Sequence, residues 1–513
     1  MGKREKIKKA VKKVVGPVID NTYKIMEPAV KPIVKAGIGI KNEIKDNNKF
    51  SPNRRYFVKD TACIVNILQD DMMDFLKNNT YEDICLVCQT NSDMKPHDIT
   101  KQHYKVHKYA GEGLKKECEA YGWQSVSSVV YTGSYGLKEY GVNWIIHVVS
   151  PRYADKKSRD YYSDAIIKSC HNILNLAKDK SIKRIIIPHI YSNDKYTIGK
   201  HEEFEAKCLL SGIRDWARAN KDYYIEIFIC SGHYDRKKKY DRCSYMLNAR
   251  DVSGEMAIVL SGGGGAGAFE VGVWEELEKL GITSKITGFS GTSIGAINSL
   301  VFTSPVSMDE KKEYWFTFEK LGMGKDILQS YLKEKIYELL DKWKDLDFKE
   351  LLENKYMYST VCKAGGGNRY LYWNNYCKSK WRDSVNKLVR ESAAHPLLYA
   401  PKRDNKRLLY DGGTVGIERK LDGYMGRDNP NTPIQPLYDL GYRKIIVIYL
   451  KPEEKLRRQV EAENDRYKRA QIIRIFPEEK LGNLTDLSKE TVRISMEKGR
   501  NVVKKMDEKG IFL

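Results

Sequence analysis

No stretch of this 513-residue chain stays apolar for the roughly 20 residues that a bilayer-spanning helix needs, so no helical span is expected. The amino terminus lacks the uninterrupted apolar core of a secretory signal, and none is expected. The ten cysteines show no pairing framework, which fits a reducing, cytoplasmic compartment. Cys85 and Cys88 form a Cys-x-x-Cys string, but it lies in an apolar, strand-like run and reads as core packing. There is no calcium loop and no metal-ligand cluster, so neither metal nor cofactor is expected. A nucleic-acid recognition motif is also missing.

Positive charge is abundant. The formal net charge is +21, which points to an anionic partner. Residues 1–54 stand apart as a basic tail. Within the first fifty residues there are thirteen Lys or Arg against five Asp or Glu. Ile7, Val11, Val14, Val15 and Val18 recur at helical spacing, with Lys6, Lys8, Lys9, Lys12 and Lys13 on the other face. This pattern suits an amphipathic helix on an anionic membrane surface; the alternative is a solvated basic tail.

The chemistry is concentrated in two segments. Residues 256–261 read as a strand and lead into Gly262-Gly263-Gly264-Gly265-Ala266-Gly267, after which residues 268–280 read as a helix. Successive glycines let backbone N–H groups converge on one point, aided by the positive helix end. Such a turn suits a phosphate or an oxyanion. The lysine of a Walker motif is absent, and the strict dinucleotide-binding context is not clear. About thirty residues on comes Gly291-Thr292-Ser293-Ile294-Gly295, between a strand candidate at 286–290 and an apolar helix at 296–302. A serine on a sharp strand-to-helix turn needs small residues two before and two after it, here Gly291 and Gly295. Its hydroxyl needs a base. Asp411, followed by Gly412 and Gly413, is the candidate, although an Asp-Gly string is also an ordinary turn.

Taken together, residues from 256 to about 499 resemble a patatin-like phospholipase domain. That family orders a glycine-rich turn, a Gly-x-Ser-x-Gly and an Asp-Gly-Gly as here. Ser392-Ala393-Ala394-His395-Pro396 and Pro433-Ile434-Gln435-Pro436-Leu437 also resemble family segments. The resemblance implies a Ser–Asp dyad of Ser293 and Asp411, and an oxyanion hole from Gly263, Gly264 and Gly265. Gly262, Gly267, Gly291, Gly295, Gly412 and Gly413 would be motif glycines. His395 falls where the family has a small structural residue, so no triad is expected. Ala266 replaces an arginine common in the family's turn; with backbone donors the change should tune the site rather than remove it.

Residues 55–235 alternate strands (84–89, 144–149, 184–188, 224–230) with helices (110–121, 162–178, 202–219), an α/β pattern with a mostly parallel sheet. They resemble a macro domain, the ADP-ribose-binding module. The resemblance rests on Ala110-Gly111-Glu112-Gly113-Leu114, Tyr131-Thr132-Gly133-Ser134-Tyr135-Gly136-Leu137, Ile145-Ile146-His147-Val148-Val149-Ser150-Pro151 and Ile185-Ile186-Ile187-Pro188. Glycine is missing from Lys95-Pro96-His97-Asp98-Ile99-Thr100-Lys101 and from Tyr191-Ser192-Asn193-Asp194-Lys195-Tyr196, where the family's phosphate loops fall. A scaffold or regulatory role is therefore expected ahead of ADP-ribose binding.

The whole reads as an α/β chain: basic tail 1–54, macro-like three-layer domain 55–235, basic linker 236–254, and patatin-like α/β hydrolase domain 255–513 with a mostly parallel sheet. The expected function is a phospholipase A-type lipid acyl hydrolase at a membrane surface. The alternative is a ligand-sensing or scaffolding protein with a gated or silent hydrolase.

Overall fold

The structure is a computed structural model. It describes residues 52–79, 81–95, 101–151, 157–189, 201–317, 354–363, 367–373, 381–394, 402–404, 407–413, 429–482 and 487–512, with four isolated positions between 334 and 341. Residues 1–51 of the basic tail, His395, residues 96–100 of the first loop and all of 191–196 lie outside these residues. Two compact units divide in sequence between Arg250 and Asp251.

The first unit contains β1 (Arg54–Phe57), β2 (Cys63–Leu68), α1 (Met72–Asn78), β3 (Ile84–Thr90), α2 (Lys101–Ala110), α3 (Glu112–Ala120), β4 (Val129–Gly133) and β5 (Val142–Val149). It continues with α4 (Arg159–Asp179), β6 (Arg184–Pro188), α5 (Glu202–Ala219), β7 (Ile225–Cys230) and α6 (Tyr234–Cys243). The sheet order is β1-β2-β7-β6-β3-β5-β4. Only the edge pairs β1/β2 and β4/β5 are antiparallel. Buried Ile, Val, Leu and Cys run without alternation along β3 and β2, as strands covered on both faces require. Cys85 and Cys88 are among these core residues, and burial pushes both thiols up.

The expected linker needs correction. Arg236, Lys237, Lys238 and Lys239 belong to α6, and a short 3₁₀ helix follows at Ser244–Asn248. His233 caps α6 by accepting from the Asp235 N–H. Lys237 is fully buried and paired with Asp241, while Arg236 and Lys239 both reach Glu202 on α5. The hydrophobic residues Tyr240, Cys243, Met246 and Leu247 make this stretch part of the first unit's core. A run of four cations concealed the periodicity of those apolar positions.

The second unit contains β8 (Met256–Leu260), α7 (Ala268–Lys279), β9 (Ile286–Thr292), α8 (Ile294–Thr303), α9 (Met308–Phe316), β10 (Tyr356–Lys363), β11 (Gly367–Tyr372) and α10 (Trp381–Ser392). Then come β12 (Lys402–Asp404), β13 (Arg407–Asp411), α11 (Gln435–Leu440), β14 (Lys444–Ile448), α12 (Arg457–Arg466), β15 (Gln471–Ile475) and α13 (Lys489–Glu508). The order is β12-β13-β10-β9-β8-β14-β15, with β11 paired to β10. The core from β10 to β15 through β9, β8 and β14 is parallel. Parallel β8 and β9 end at the same sheet edge. β10 runs past the end of β9, where Thr360 pairs with Thr292. β13 returns antiparallel along that overhang, which sets Asp411 opposite Val361. Two turns and one aspartate, distant in sequence, thereby reach one level of the sheet.

Helices α7 and α13 cross at closest approach through Gly272 and Gly499. A Cβ on Gly272 would lie 1.8 Å from the Met496 carbonyl oxygen, and one on Gly499 2.3 Å from that of Phe269. Helix propensity alone makes Gly272→Ala stabilising by about 1 kcal/mol. The crossing makes it destabilising, by about 1–3 kcal/mol as for other overpacked cores. Urea titration of the two proteins decides the sign.

Candidate active site

Ser293 occupies the turn between β9 and α8 with φ 57° and ψ −121°. A positive φ is rare for a residue with a Cβ and costs of order 1–3 kcal/mol. The neighbours hold it there. A Cβ on Gly291 would meet the Gly295 carbonyl oxygen at 2.3 Å, and one on Gly295 that of Leu260 at 2.2 Å. The small residues flanking the serine are thus required by backbone contact. The Ser293 N–H donates to Ser392 Oγ at 3.0 Å, and its carbonyl accepts from Ala296 N at 3.0 Å to open α8. Thr292 Oγ1 donates to the Pro430 carbonyl at 2.6 Å.

The glycine turn follows β8. Gly264 has φ 56°, a left-handed position that glycine adopts without penalty, and residues Gly264–Gly267 form a 3₁₀ turn into α7. The Gly262 N–H donates to the Asn431 carbonyl at 3.1 Å, and the Ala266 N–H to that of Gly263 at 3.2 Å. The N–H groups of Gly263, Gly264 and Gly265 lie between these two. A Cβ on Gly262 would stand 3.2 Å from Ser293 Cβ, so the turn packs directly on the serine. Beneath it, Asn298 Nδ2 donates to the Gly267 carbonyl at 3.0 Å and to Glu270 at 2.7 Å, while Trp315 Nε1 donates to Asn298 Oδ1 at 2.9 Å. Burial pushes the Glu270 carboxyl well above the usual carboxylate range.

Asp411 is 2% exposed. Burial pushes its carboxyl up to about 6, against the opposing pull of hydrogen bonds from the Ser293 hydroxyl and the Gly413 N–H, the latter at 2.7 Å. Its own N–H donates to the Ala394 carbonyl at 3.0 Å. A Cβ on Gly413 would meet Asn431 Oδ1 at 2.4 Å and Asp411 Oδ1 at 3.2 Å, so a side chain there would have to displace the Asn431 amide. A hydroxyl hydrogen-bonded to a carboxyl that ionises near neutrality can be deprotonated for attack on an electrophile. The sequence-predicted Ser293, Asp411 and glycine turn therefore come together.

Motif reasoning missed Asn431 and Glu270, and it gave no role to Ser392, which lies in a segment already noted as family-like, or to Asn298. A glutamate inside the apolar run Ala268-Phe269-Glu270-Val271-Gly272-Val273 was a visible signal. Nothing local marks Asn431, whose Nδ2 donates to the Gly262 carbonyl at 3.0 Å across 169 positions of sequence.

In the first unit, the C-terminal ends of β3 and β5 carry Gln89, Thr90 and His147. His147 is pushed down to about 3 by burial and stays neutral, its Nε2 2.9 Å from Thr132 Oγ1. Among the described residues no group of three His, Cys, Asp or Glu could hold a metal ion.

Comparison with known proteins finds two family matches. Residues 258–417 match the patatin-like phospholipase family, and residues 97–195 match the macro domain family. The macro domain is N-terminal and the patatin-like domain follows it. The solved structures similar to the chain include the Oceanobacillus iheyensis macrodomain with ADP, at 18% identity over 38% of this chain and 96% of that one, with a TM-score of 0.31. They also include the Trypanosoma brucei macrodomain in complex with ADP, at 17% identity over 35% and 68%, with a TM-score of 0.28. No curated protein matches the sequence.

The displaced acid couples stability to pH. A carboxyl raised from 3.8 to about 6 favours the folded state while protonated. That contribution is complete below the unfolded value and is lost as pH rises through about 6. The difference corresponds to on the order of 3 kcal/mol. Between pH 4 and 7 the wild type should lose stability relative to Asp411→Asn. Denaturant midpoints across that range read the effect, and parallel curves would refute it.

Proposed function

We propose that the second unit is a carboxylic ester hydrolase acting on lipid acyl groups, with Ser293 as nucleophile and Asp411 as base. The observation that carries this reading is the Ser293 hydroxyl bonded to the buried Asp411 carboxyl, with the glycine turn packed on Ser293 Cβ. The match of residues 258–417 to the patatin-like phospholipase family supports a lipid ester as substrate.

Asp411 takes the proton from Ser293 Oγ as that oxygen bonds to the ester carbonyl carbon. Negative charge moves to the carbonyl oxygen, which the N–H groups of Gly263, Gly264 and Gly265 receive; one such donor contributes about 3–4 kcal/mol in the transition state. The intermediate collapses, the carbon–oxygen bond to the alcohol breaks, and Asp411 returns the proton to the departing oxygen. Water then enters. Asp411 takes its proton, the hydroxyl attacks the acyl carbon, and Ser293 leaves with the proton.

The basic tail and the net charge of +21 suit an anionic membrane surface for this chemistry. Among the described residues no helix is long and apolar enough to cross a membrane. The second reading is a sensor: the macro domain match supports a ligand of the ADP-ribose type, with the hydrolase under its control.

Ser293→Ala and Asp411→Asn should each reduce ester hydrolysis to near background, with the double variant little worse than either, because the pair acts as a unit. Wild-type turnover should rise about tenfold per pH unit below the Asp411 midpoint near 6 and then level. Gly264→Val should lower kcat far more than it raises KM. A folded Ser293→Ala protein that keeps its activity against phospholipid and lysophospholipid would sink the mechanism. For the sensor reading, calorimetry of the full Ser293→Ala chain with ADP-ribose is decisive. Glycine-poor phosphate loops lead us to expect no micromolar binding; micromolar heats would favour sensing.

A further inference from the structure

A buried three-residue segment touches both partners of the Ser–Asp pair. Helix α10 ends at Ser392, and residues 392–394 continue from it. Ser392 Oγ accepts from the Ser293 N–H at 3.0 Å and donates to the Thr360 carbonyl on β10 at 2.7 Å. Two residues later, the Ala394 carbonyl accepts from the Asp411 N–H at 3.0 Å. Ser392 is fully buried and Ala394 is nearly so. One short segment therefore grips the backbone of the nucleophile and the backbone of the base.

The geometry points to residues 392–394 as a brace that sets the separation of Ser293 and Asp411, with Ser392 as a positioning residue for the reaction proposed above, on which this inference rests. Three physical arguments support it. Ser293 is held at a positive φ, from which it relaxes unless its surroundings over-determine it. The hydroxyl of Ser392 fixes that residue's N–H and ties it to β10, the strand lying between β9 and β13. The same bond turns the Ser293 N–H toward Ser392. The oxyanion then depends on the glycine turn for its donors, and the brace leaves those donors untouched.

Removing the Ser392 hydroxyl takes from the Ser293 N–H and the Thr360 carbonyl the partner they share at a fully buried position. A misplacement of about 1 Å in a reacting group costs on the order of a hundredfold in rate. Ser392→Ala should therefore lower kcat roughly ten- to a hundredfold with KM within about twofold. Ser392→Thr, which keeps the hydroxyl, should recover most of the loss.

The experiment uses the full chain and a fluorophosphonate probe, which bonds phosphorus to Ser293 Oγ as fluoride leaves and the proton passes to the base. The readouts are the second-order labelling rate, the labelled residue by mass spectrometry, and kcat and KM on a short-chain ester. The brace is supported if Ser392→Ala labels as much slower as its kcat is reduced, and Ser392→Thr recovers. Should Ser392→Ala fail to fold, Ser392→Cys keeps the shape with a much weaker acceptor and should show the same slow labelling. Folded Ser392→Ala or Ser392→Cys protein that labels at the wild-type rate overturns the brace and leaves the hydrolase reading standing. A wild type that does not label at Ser293 overturns the hydrolase reading, and the brace with it.

Discussion

The second unit depends on one constraint: the backbone at Ser293 must turn with a positive φ in a space without room for neighbouring side chains. Gly291 and Gly295 are fixed by their contacts with carbonyl oxygens 2.2–2.3 Å from where a Cβ would sit. The end of β9 must be parallel to that of β8, because the second of those carbonyls belongs to Leu260. The glycine turn is then forced against the serine. From a single unfavourable dihedral follow the neighbouring strand, the turn and the helix that leaves it.

The base is expensive in a second way. Asp411 is placed in the core, where a charged carboxyl is disfavoured, and only two hydrogen bonds lower its proton affinity again. The fold thus carries a group that stabilises it least in the ionised form that chemistry needs. The same conflict recurs at Glu270, which burial holds protonated below the glycine turn. A protonated carboxyl there acts as a neutral hydrogen-bonding group. It engages Asn298, which in turn fixes the Gly267 carbonyl and the Trp315 indole.

In the first unit, formal charge overstates free charge. Of the cations at 236–239, three are consumed by Glu202 and Asp241 inside the fold. Their role is structural: they seat α6 on α5. Most of the positive charge at 236–239 is therefore neutralised within the fold.

The local chemistry of the site was legible in the order of its motifs. Consecutive glycines after an apolar strand, small residues two either side of Ser293, and an Asp-Gly-Gly each follow from short-range sterics, so neighbouring residues reveal them. Strands β3 and β5 to β9 were legible for the same reason: buried parallel strands are unbroken apolar runs, as at β8 and β6, whereas β2, β10, β14 and β15, equally parallel, were not singled out. Edge strands β1 and β4, whose residues are exposed or half-exposed except for Thr132, carried no such pattern. Only the tertiary structure decided what lies between the motifs. The level of Asp411 depends on β13 pairing with the overhang of β10, a long-range register that no local pattern encodes. The raised proton affinity of Asp411 depends on the atoms that exclude water from it. Asn431 looks like an ordinary polar residue in sequence, and nothing local in the segment of Ser392 says what it touches; each contacts backbone far away, across 99 positions for Ser392 and 169 for Asn431.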